Sequence, residues 1–178
     1  MDNLSRDSTL NPWHDLQNSL PDAFTAQARG LFSENFDLLR PDGEKFGHLD
    51  ISGADFEAGE NRGTIESESG GYRMRAGNTE TLFATHRRFS GTLNLAAGDR
   101  SYEARINYLR NSASAWHGRE NVALLSSSLS GRSYRAQLNR VYADSLPVAI
   151  FLLFYTATSR KRVYLARQGR GVLQFPGR

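Results

Sequence analysis

The chain has 178 residues, of which 39% are hydrophobic and 11% aromatic, which is enough for one domain with a core and excludes general disorder. It has no cysteine, so disulfides, thiolate metal sites and cysteine nucleophiles are excluded. Residues 1–60 hold 12 carboxylates and 4 cations, whereas residues 61–178 hold 7 carboxylates and 18 cations. This asymmetry indicates either an anionic partner for the basic part or attraction between the two parts within the fold.

The first 30 residues differ from the rest in being rich in Asn, Asp, Ser and Gln. Leu16, Leu20 and Phe24 are spaced by four, as on one face of a short helix. We therefore predict a polar N-terminal extension over residues 1–30, helical around residues 22–29, that lies against the main domain. No apolar stretch follows the start of the chain, so we expect no secretory signal and a cytoplasmic protein.

From residue 31 to residue 141 the sequence is typical of short β-strands joined by tight turns. Alternating segments flank turn residues that tolerate the positive backbone angles of hairpins. The clearest turns are Pro41-Asp42-Gly43, Gly70-Gly71, Gly98-Asp99 and Ser130-Gly131. The spacing predicts a meander of antiparallel strands.

Three of these hairpins share a further feature, because the returning strand begins with a tyrosine: Tyr72, Tyr102 and Tyr134. A repeated hairpin indicates a closed or symmetric sheet. Closure removes the unpaired edges that a long meander would otherwise expose.

The most apolar stretch, DSLPVAIFLLFYTATSRKR, spans residues 144–162. Asp144 or Ser145 can cap a helix, and Pro147 suits its first turn. We predict a helix over about residues 145–159. Its apolar run of 12 residues would be about 18 Å long, short of the ~30 Å of a bilayer core. It is apolar on every side, so it needs a protein wall all round, which a barrel of strands provides.

This order of hairpins, a Ser-Gly-Arg-x-Tyr strand (SGRSY, residues 130–134) and then the apolar segment resembles the tubby C-terminal-like superfamily. That group includes tubby-like proteins, phospholipid scramblases and LURP-one-related proteins. The resemblance covers roughly residues 31–162. It implies a mainly β fold, a closed antiparallel barrel of about 12 strands around a central hydrophobic C-terminal helix, here over residues 31–178. The arginine-rich composition, with only two lysines, indicates a bacterial member.

The sequence contains no enzyme signature. The four histidines, His14, His48, His86 and His117, are not placed at metal-ligand spacing. His86 and His117 are interpreted as ordinary surface residues. No nucleophile elbow is present, although a catalytic site assembled from distant strands would leave no motif. We expect no metal and no cofactor, and an enzyme is kept as an alternative.

Two groups of cations are candidates for binding an anionic partner: Arg87, Arg88, Arg160, Lys161 and Arg162. An anionic phospholipid surface attracts such residues. Nucleic acid is not expected, since exposed aromatics and a recognition helix are missing.

We therefore predict a non-enzymatic soluble barrel that acts as a binding or scaffold module for anionic lipid head groups or a protein partner. It would be cytoplasmic or peripheral at the membrane. The second alternative is a membrane-attached protein anchored through residues 146–158.

Overall fold

A computed structural model describes residues 13–30, 34–86, 91–128 and 130–167, with side chains described up to residue 160. The protein is mainly β, as predicted, with twelve antiparallel strands in a closed barrel and a C-terminal helix. The elements are α1 His14–Ser19, β1 Ala23–Arg29, β2 Asn35–Leu39, β3 Lys45–Asp50, β4 Asp55–Ala58, β5 Asn61–Glu68, β6 Gly71–Ala76, β7 Thr79–His86, β8 Thr92–Ala97, β9 Arg100–Asn107, β10 Ser112–His117, β11 Glu120–Ser127, β12 Ser133–Leu138 and α2 Ser145–Arg167.

Each strand pairs with the next along the chain, and β1 pairs with β12 to close the barrel, with Ala26 opposite Tyr134. Because the strands alternate in direction, successive turns alternate between two rims. The N-rim, where α2 begins, contains α1, the turns 40–44, 59–60, 77–78, 98–99 and 118–119, and residues 139–144. The C-rim, where α2 ends, contains the turns 51–54, 69–70 and 108–111, the described part of 128–132, and α2 from Ser159 onward.

The four predicted hairpin turns are confirmed. Each has a glycine in the left-handed region, at φ 89° for Gly43, 94° for Gly70, 59° for Gly98 and 63° for Gly131. Other residues adopt this conformation only at a cost, which is why these turns can be recognised in the sequence.

The three repeated tyrosines, Tyr72, Tyr102 and Tyr134, are buried. The ring of Tyr72 packs edge-on against that of Phe151 on α2, at 6.1 Å between centroids. The Tyr134 ring packs in the same way against Phe36 at 5.6 Å. The repeated hairpin therefore places an aromatic ring inside the barrel three times.

Helix α2 fills the barrel. Every residue from 145 to 157 is buried, and Phe151 and Phe154 are 0% and 4% exposed. The helix contacts β7, β10, β11 and β12. The prediction of a buried helix that begins at Ser145 is thus confirmed.

The predicted end of this helix near residue 159 is wrong, because α2 continues to Arg167. The sequence from Arg160 to Arg167 has no Gly or Pro, and Arg, Lys, Leu and Ala favour helices. The prediction ends the helix just after its apolar run, but a helix that extends beyond the barrel no longer needs an apolar surface.

The predicted helix around residues 22–29 is also wrong. These residues form β1, which closes the barrel, so the barrel begins at Ala23 and not at residue 31. Phe24, Ala26 and Ala28 are buried, so the alternation of a strand applies here. A proline disfavours the helical conformation in the residue that precedes it. Leu20, which precedes Pro21, is accordingly extended at ψ 146°, so the helical spacing of Leu16 and Leu20 does not continue to Phe24.

The short helix α1 lies across the N-rim. Trp13 and Leu20 are buried, and the Trp13 ring stacks on Phe56 at 5.5 Å. Gln17 is buried and donates from Nε2 to the carbonyl of Tyr142 at 2.7 Å. Its Oε1 accepts from the backbone N–H of Leu146 at 3.4 Å. Gln17 thus satisfies one of the unpaired N–H groups in the first turn of α2.

Candidate functional site

Arg160 is the one predicted binding residue whose side chain the structure describes, and it lies on the C-rim. It donates from Nη2 to the carbonyl of Ser130 at 2.5 Å. Its guanidinium lies over Gly131, where a Cβ atom would be 1.0 Å from Nη1. The guanidinium therefore covers the β11–β12 turn while remaining partly exposed.

The other predicted residues are placed only in part. Lys161 and Arg162 belong to α2, so their backbone is on the C-rim, but their side chains are outside the described part of the structure. Arg87 and Arg88 lie outside the described residues. Their role in binding stays a prediction.

Sequence reasoning missed two further cations on the C-rim, Arg110 and Arg132. Both are exposed. Arg132 donates from Nη2 to the carbonyl of Gly30 at 2.9 Å. The carbonyl of Arg110 accepts from Ser127 Oγ at 3.4 Å, which ties the β9–β10 turn to the end of β11. The alternating direction of the strands groups these residues with Arg160. Between the Gly98 turn and each of the three arginines, the chain crosses the barrel an odd number of times, so all three lie on the rim opposite Gly98.

Charge is separated along the barrel axis on this side of the molecule. Between residues 86 and 167 the sequence has four carboxylates, three on the N-rim and one within β9: Asp99, Glu120, Asp144 and Glu103. The Glu103 carboxylate is 2.8 Å from Nε of Arg105. Residues 108–111, 128–132 and 159–167 contain no carboxylate in their sequence. This half of the C-rim is therefore basic.

Aromatic side chains lie at the C-rim end of β6, β7 and α2. The Tyr155 ring packs against Tyr72 at 5.7 Å and against His86 at 5.7 Å, and its hydroxyl is 3.4 Å from Nδ1 of His86. Burial, and next a hydrogen bond to Tyr108, raises the pKa of Tyr155. His86 is exposed, as predicted for a surface residue, but its ring also covers the aromatic core.

The N-rim carries a second polar cluster that the sequence did not indicate. Tyr102 donates its hydroxyl proton to Asp144 Oδ2 at 2.8 Å, and Tyr142 donates to Glu120 Oε2 at 2.5 Å. The exposed ring of His117 packs against both tyrosines. These partners are 42 and 22 residues apart, so no local motif could reveal them.

The two tyrosines of the N-rim cluster are engaged with carboxylates. Burial and the hydrogen bond to Asp144 raise the pKa of Tyr102, and the hydrogen bond to Glu120 raises that of Tyr142. Each phenol donates a hydrogen bond to a carboxylate, and the two pairs join residues that are far apart in the sequence at this end of the barrel.

Among the described residues, no three His, Asp or Glu side chains come together at a spacing that could hold a metal ion. Within the same part of the chain, no helix is long and apolar enough to cross a membrane. The predicted anchor, residues 146–158, instead lies in the barrel core, apart from the partly buried Thr158.

The fold defines a class: an antiparallel barrel filled by its own C-terminal helix. No protein family matches the sequence, and no curated protein matches it at a significant level. An X-ray structure of a protein from Arabidopsis thaliana matches with a TM-score of 0.48 and 15% sequence identity, covering 79% of this chain and 95% of the plant chain.

Proposed function

We propose that this protein is a non-enzymatic binding module that contacts anionic lipid head groups through the basic half of its C-rim. The observation that carries this proposal is the separation of charge between residues 86 and 167. Arg110, Arg132 and Arg160 share the C-rim with a helix end rich in cations, while the carboxylates of this part of the chain are on the N-rim or in the barrel wall. Its assignment to the tubby C-terminal-like superfamily, near the LURP-one-related proteins, belongs to the same proposal.

The interior of the barrel supports a surface site. All α2 residues from 145 to 157 are buried against the strands, so this helix occupies the space that binds a ligand in other barrels. A partner then has to meet the outside of the molecule.

The expected affinity is low if only these cations act. Each Lys or Arg close to an anionic membrane contributes about 1 kcal/mol, so the three described arginines contribute roughly 3 kcal/mol. A dissociation constant of 1 mM corresponds to about 4 kcal/mol. Stable attachment therefore needs the further cations of α2 or an apolar contact.

Sedimentation with vesicles tests the proposal. We expect the protein to pellet with vesicles of phosphatidylcholine and phosphatidylserine, and to stay in solution with phosphatidylcholine alone. High salt should abolish pelleting, since the Debye length falls to about 3 Å at 1 M. Equal pelleting with both vesicles, or none with either, would contradict the proposal.

A matched pair of variants tests the location of the site. Arg110→Glu on the C-rim and Arg119→Glu on the N-rim change the net charge equally, and both side chains are exposed. We expect Arg110→Glu to weaken pelleting strongly and Arg119→Glu to leave it almost unchanged. Equal losses would show that total charge, and not the C-rim, drives binding.

A further inference from the structure

The β9–β10 turn presents apolar side chains at the tip of the C-rim. Leu109 is 94% exposed, and the preceding Tyr108 is 47% exposed. Leu109 and Tyr108 together form a small exposed apolar group on this rim. A single exposed leucine is ordinary on a protein surface, so its meaning depends on the cations beside it.

The turn is held in place by several contacts. The backbone N–H of Arg110 donates to Asn107 Oδ1 at 3.1 Å, and the Arg110 carbonyl accepts from Ser127. The Tyr108 side chain lies close to that of Tyr155 on α2. Asn111 closes the turn in the left-handed region, at φ 46°. Leu109 is therefore directed outward by an ordered turn.

Cations share the C-rim with this apolar group. Arg110 is the next residue, and Ser127 links the turn to β11, whose following turn carries the carbonyl that accepts from Arg160. An apolar tip within a basic rim is complementary to an anionic membrane, which offers negative head groups at its surface and acyl chains beneath them.

We infer that Leu109 inserts into the boundary between head groups and acyl chains of an anionic membrane. Tyr108 then lies at head-group level, where tyrosine is favoured in membrane proteins, and Arg110 and Arg160 face the lipid phosphates. This inference rests on the proposed function and adds the element that penetrates the bilayer. It also supplies the apolar contact that the cations alone lack.

Because the chain has no cysteine, one environment-sensitive fluorophore can be placed at a chosen residue. Leu109→Cys carries the label at the proposed point of insertion. Val141→Cys is the matched control, since Val141 is a hydrophobic residue that is 79% exposed on the N-rim. With vesicles containing phosphatidylserine, we expect a blue shift and quenching by acyl-chain spin labels at position 109 only.

The outcomes separate the two proposals. If unlabelled protein pellets with the vesicles but the label at position 109 is unaffected, insertion is wrong and head-group binding stands. If the unlabelled protein does not pellet, the proposed function is wrong, and insertion fails with it. A blue shift of equal size at positions 109 and 141 would also overturn insertion.

A second pair of variants measures the effect on binding. Leu109→Ser and Val141→Ser both replace an exposed apolar side chain and should fold normally. We expect Leu109→Ser to weaken binding to the anionic vesicles about tenfold, as for the loss of most of one leucine transfer, and Val141→Ser to have no effect. If Leu109→Ser instead converts a dimer to a monomer in sedimentation velocity without lipid, the turn binds a second copy and insertion is wrong.

Discussion

The guanidinium of Arg160 occupies the space that a side chain at position 131 would take. Gly131→Ala would force it away from the Ser130 carbonyl and also place alanine at φ 63°. We expect a loss of roughly 2 kcal/mol of unfolding free energy, about half from the backbone and half from the hydrogen bond. Urea denaturation measures this change.

Gly98→Ala is the control for the backbone cost, since Gly98 has φ 59° and nothing within 4 Å of its Cβ position. It should cost about 1 kcal/mol. In an Arg160→Ala background, Gly131→Ala should cost no more than Gly98→Ala. An equal cost of Gly131→Ala with and without Arg160 would mean that the guanidinium does not stabilise the turn.

At the scale of single residues, the candidate site could be predicted only where cations are adjacent in sequence. Arg160 was found because Lys161 and Arg162 follow it. Arg110 and Arg132 are isolated in the sequence, and only the pairing of their strands brings them to the same rim. The N-rim pairs, Tyr102 with Asp144 and Tyr142 with Glu120, also join residues that are distant in the sequence, so no local motif predicts them.

Among the elements, α1 depends on Gln17 for its attachment to α2. Gln17→Ala would leave the buried Tyr142 carbonyl and the Leu146 N–H without this partner. Unsatisfied buried groups of this kind cost about 1–3 kcal/mol. We expect such a loss in urea denaturation, together with faster amide exchange at Leu146.

The neighbouring Asn18→Ala is the control, because Asn18 is exposed. It should change stability by less than about 0.5 kcal/mol. If both variants are equally stable, the contacts of Gln17 do not hold α1 on the N-rim.

Helix α2 is the core of the barrel, and Leu153 is 0% exposed. Leu153→Ala should cost about 2–5 kcal/mol through the cavity it leaves, and Leu153→Asp should unfold the protein, since an unpaired charge would be buried. Circular dichroism and denaturation check both. Leu109→Asp, at an exposed position, should remain folded. A folded Leu153→Asp protein that merely leaves the membrane fraction would support the anchor alternative.

The elements that the sequence predicted share strong local signals. Hairpins with a glycine at positive φ and a helix apolar on every side were recognised. Strand β1 was missed because its closing partner β12 is more than 100 residues away, and its apolar residues also fit a helical spacing with Leu16 and Leu20. The β9–β10 turn uses Asn111, not glycine, at positive φ, and was overlooked as a distinct feature.

At the scale of the whole molecule, the antiparallel strands place successive turns on opposite rims of the barrel. Between residues 86 and 167 this gives the two rims different charges. The sequence alone showed that the acidic and basic parts differ, and left open whether they attract each other or a partner. Asp22 on the N-rim does pair with Arg140, so some attraction occurs within the fold. The cations of the C-rim turns on the β9–β12 side have no carboxylate in those turns to pair with.

The buried tyrosines make the whole molecule sensitive to alkali. Burial is the main cause that raises the pKa of Tyr102, Tyr134 and Tyr155 in the folded protein. Tyrosines of an unfolded chain ionise near pH ~10. The contribution of the buried tyrosines to the unfolding free energy is therefore fully present below that pH, and it is lost as the pH rises towards their pKa values in the folded protein. Each such tyrosine lowers the unfolding free energy by at most about 1.4 kcal/mol per pH unit there.

Urea denaturation from neutral pH to about pH 11 measures this loss, with tyrosinate absorbance following ionisation. Tyr134→Phe is the most informative variant, because the Tyr134 hydroxyl is buried and makes no hydrogen bond of good geometry. The nearby Arg160 guanidinium partly opposes the rise in the pKa of Tyr134 that burial causes. The unfolding free energy of Tyr134→Phe at neutral pH should be close to that of the wild type. Above pH ~10 the variant should lose less unfolding free energy than the wild type. The contrary outcome is a wild-type stability that stays constant across this pH range while the tyrosines ionise in the folded state. That result would mean that water reaches the tyrosine rings and that α2 does not seal the interior of the barrel.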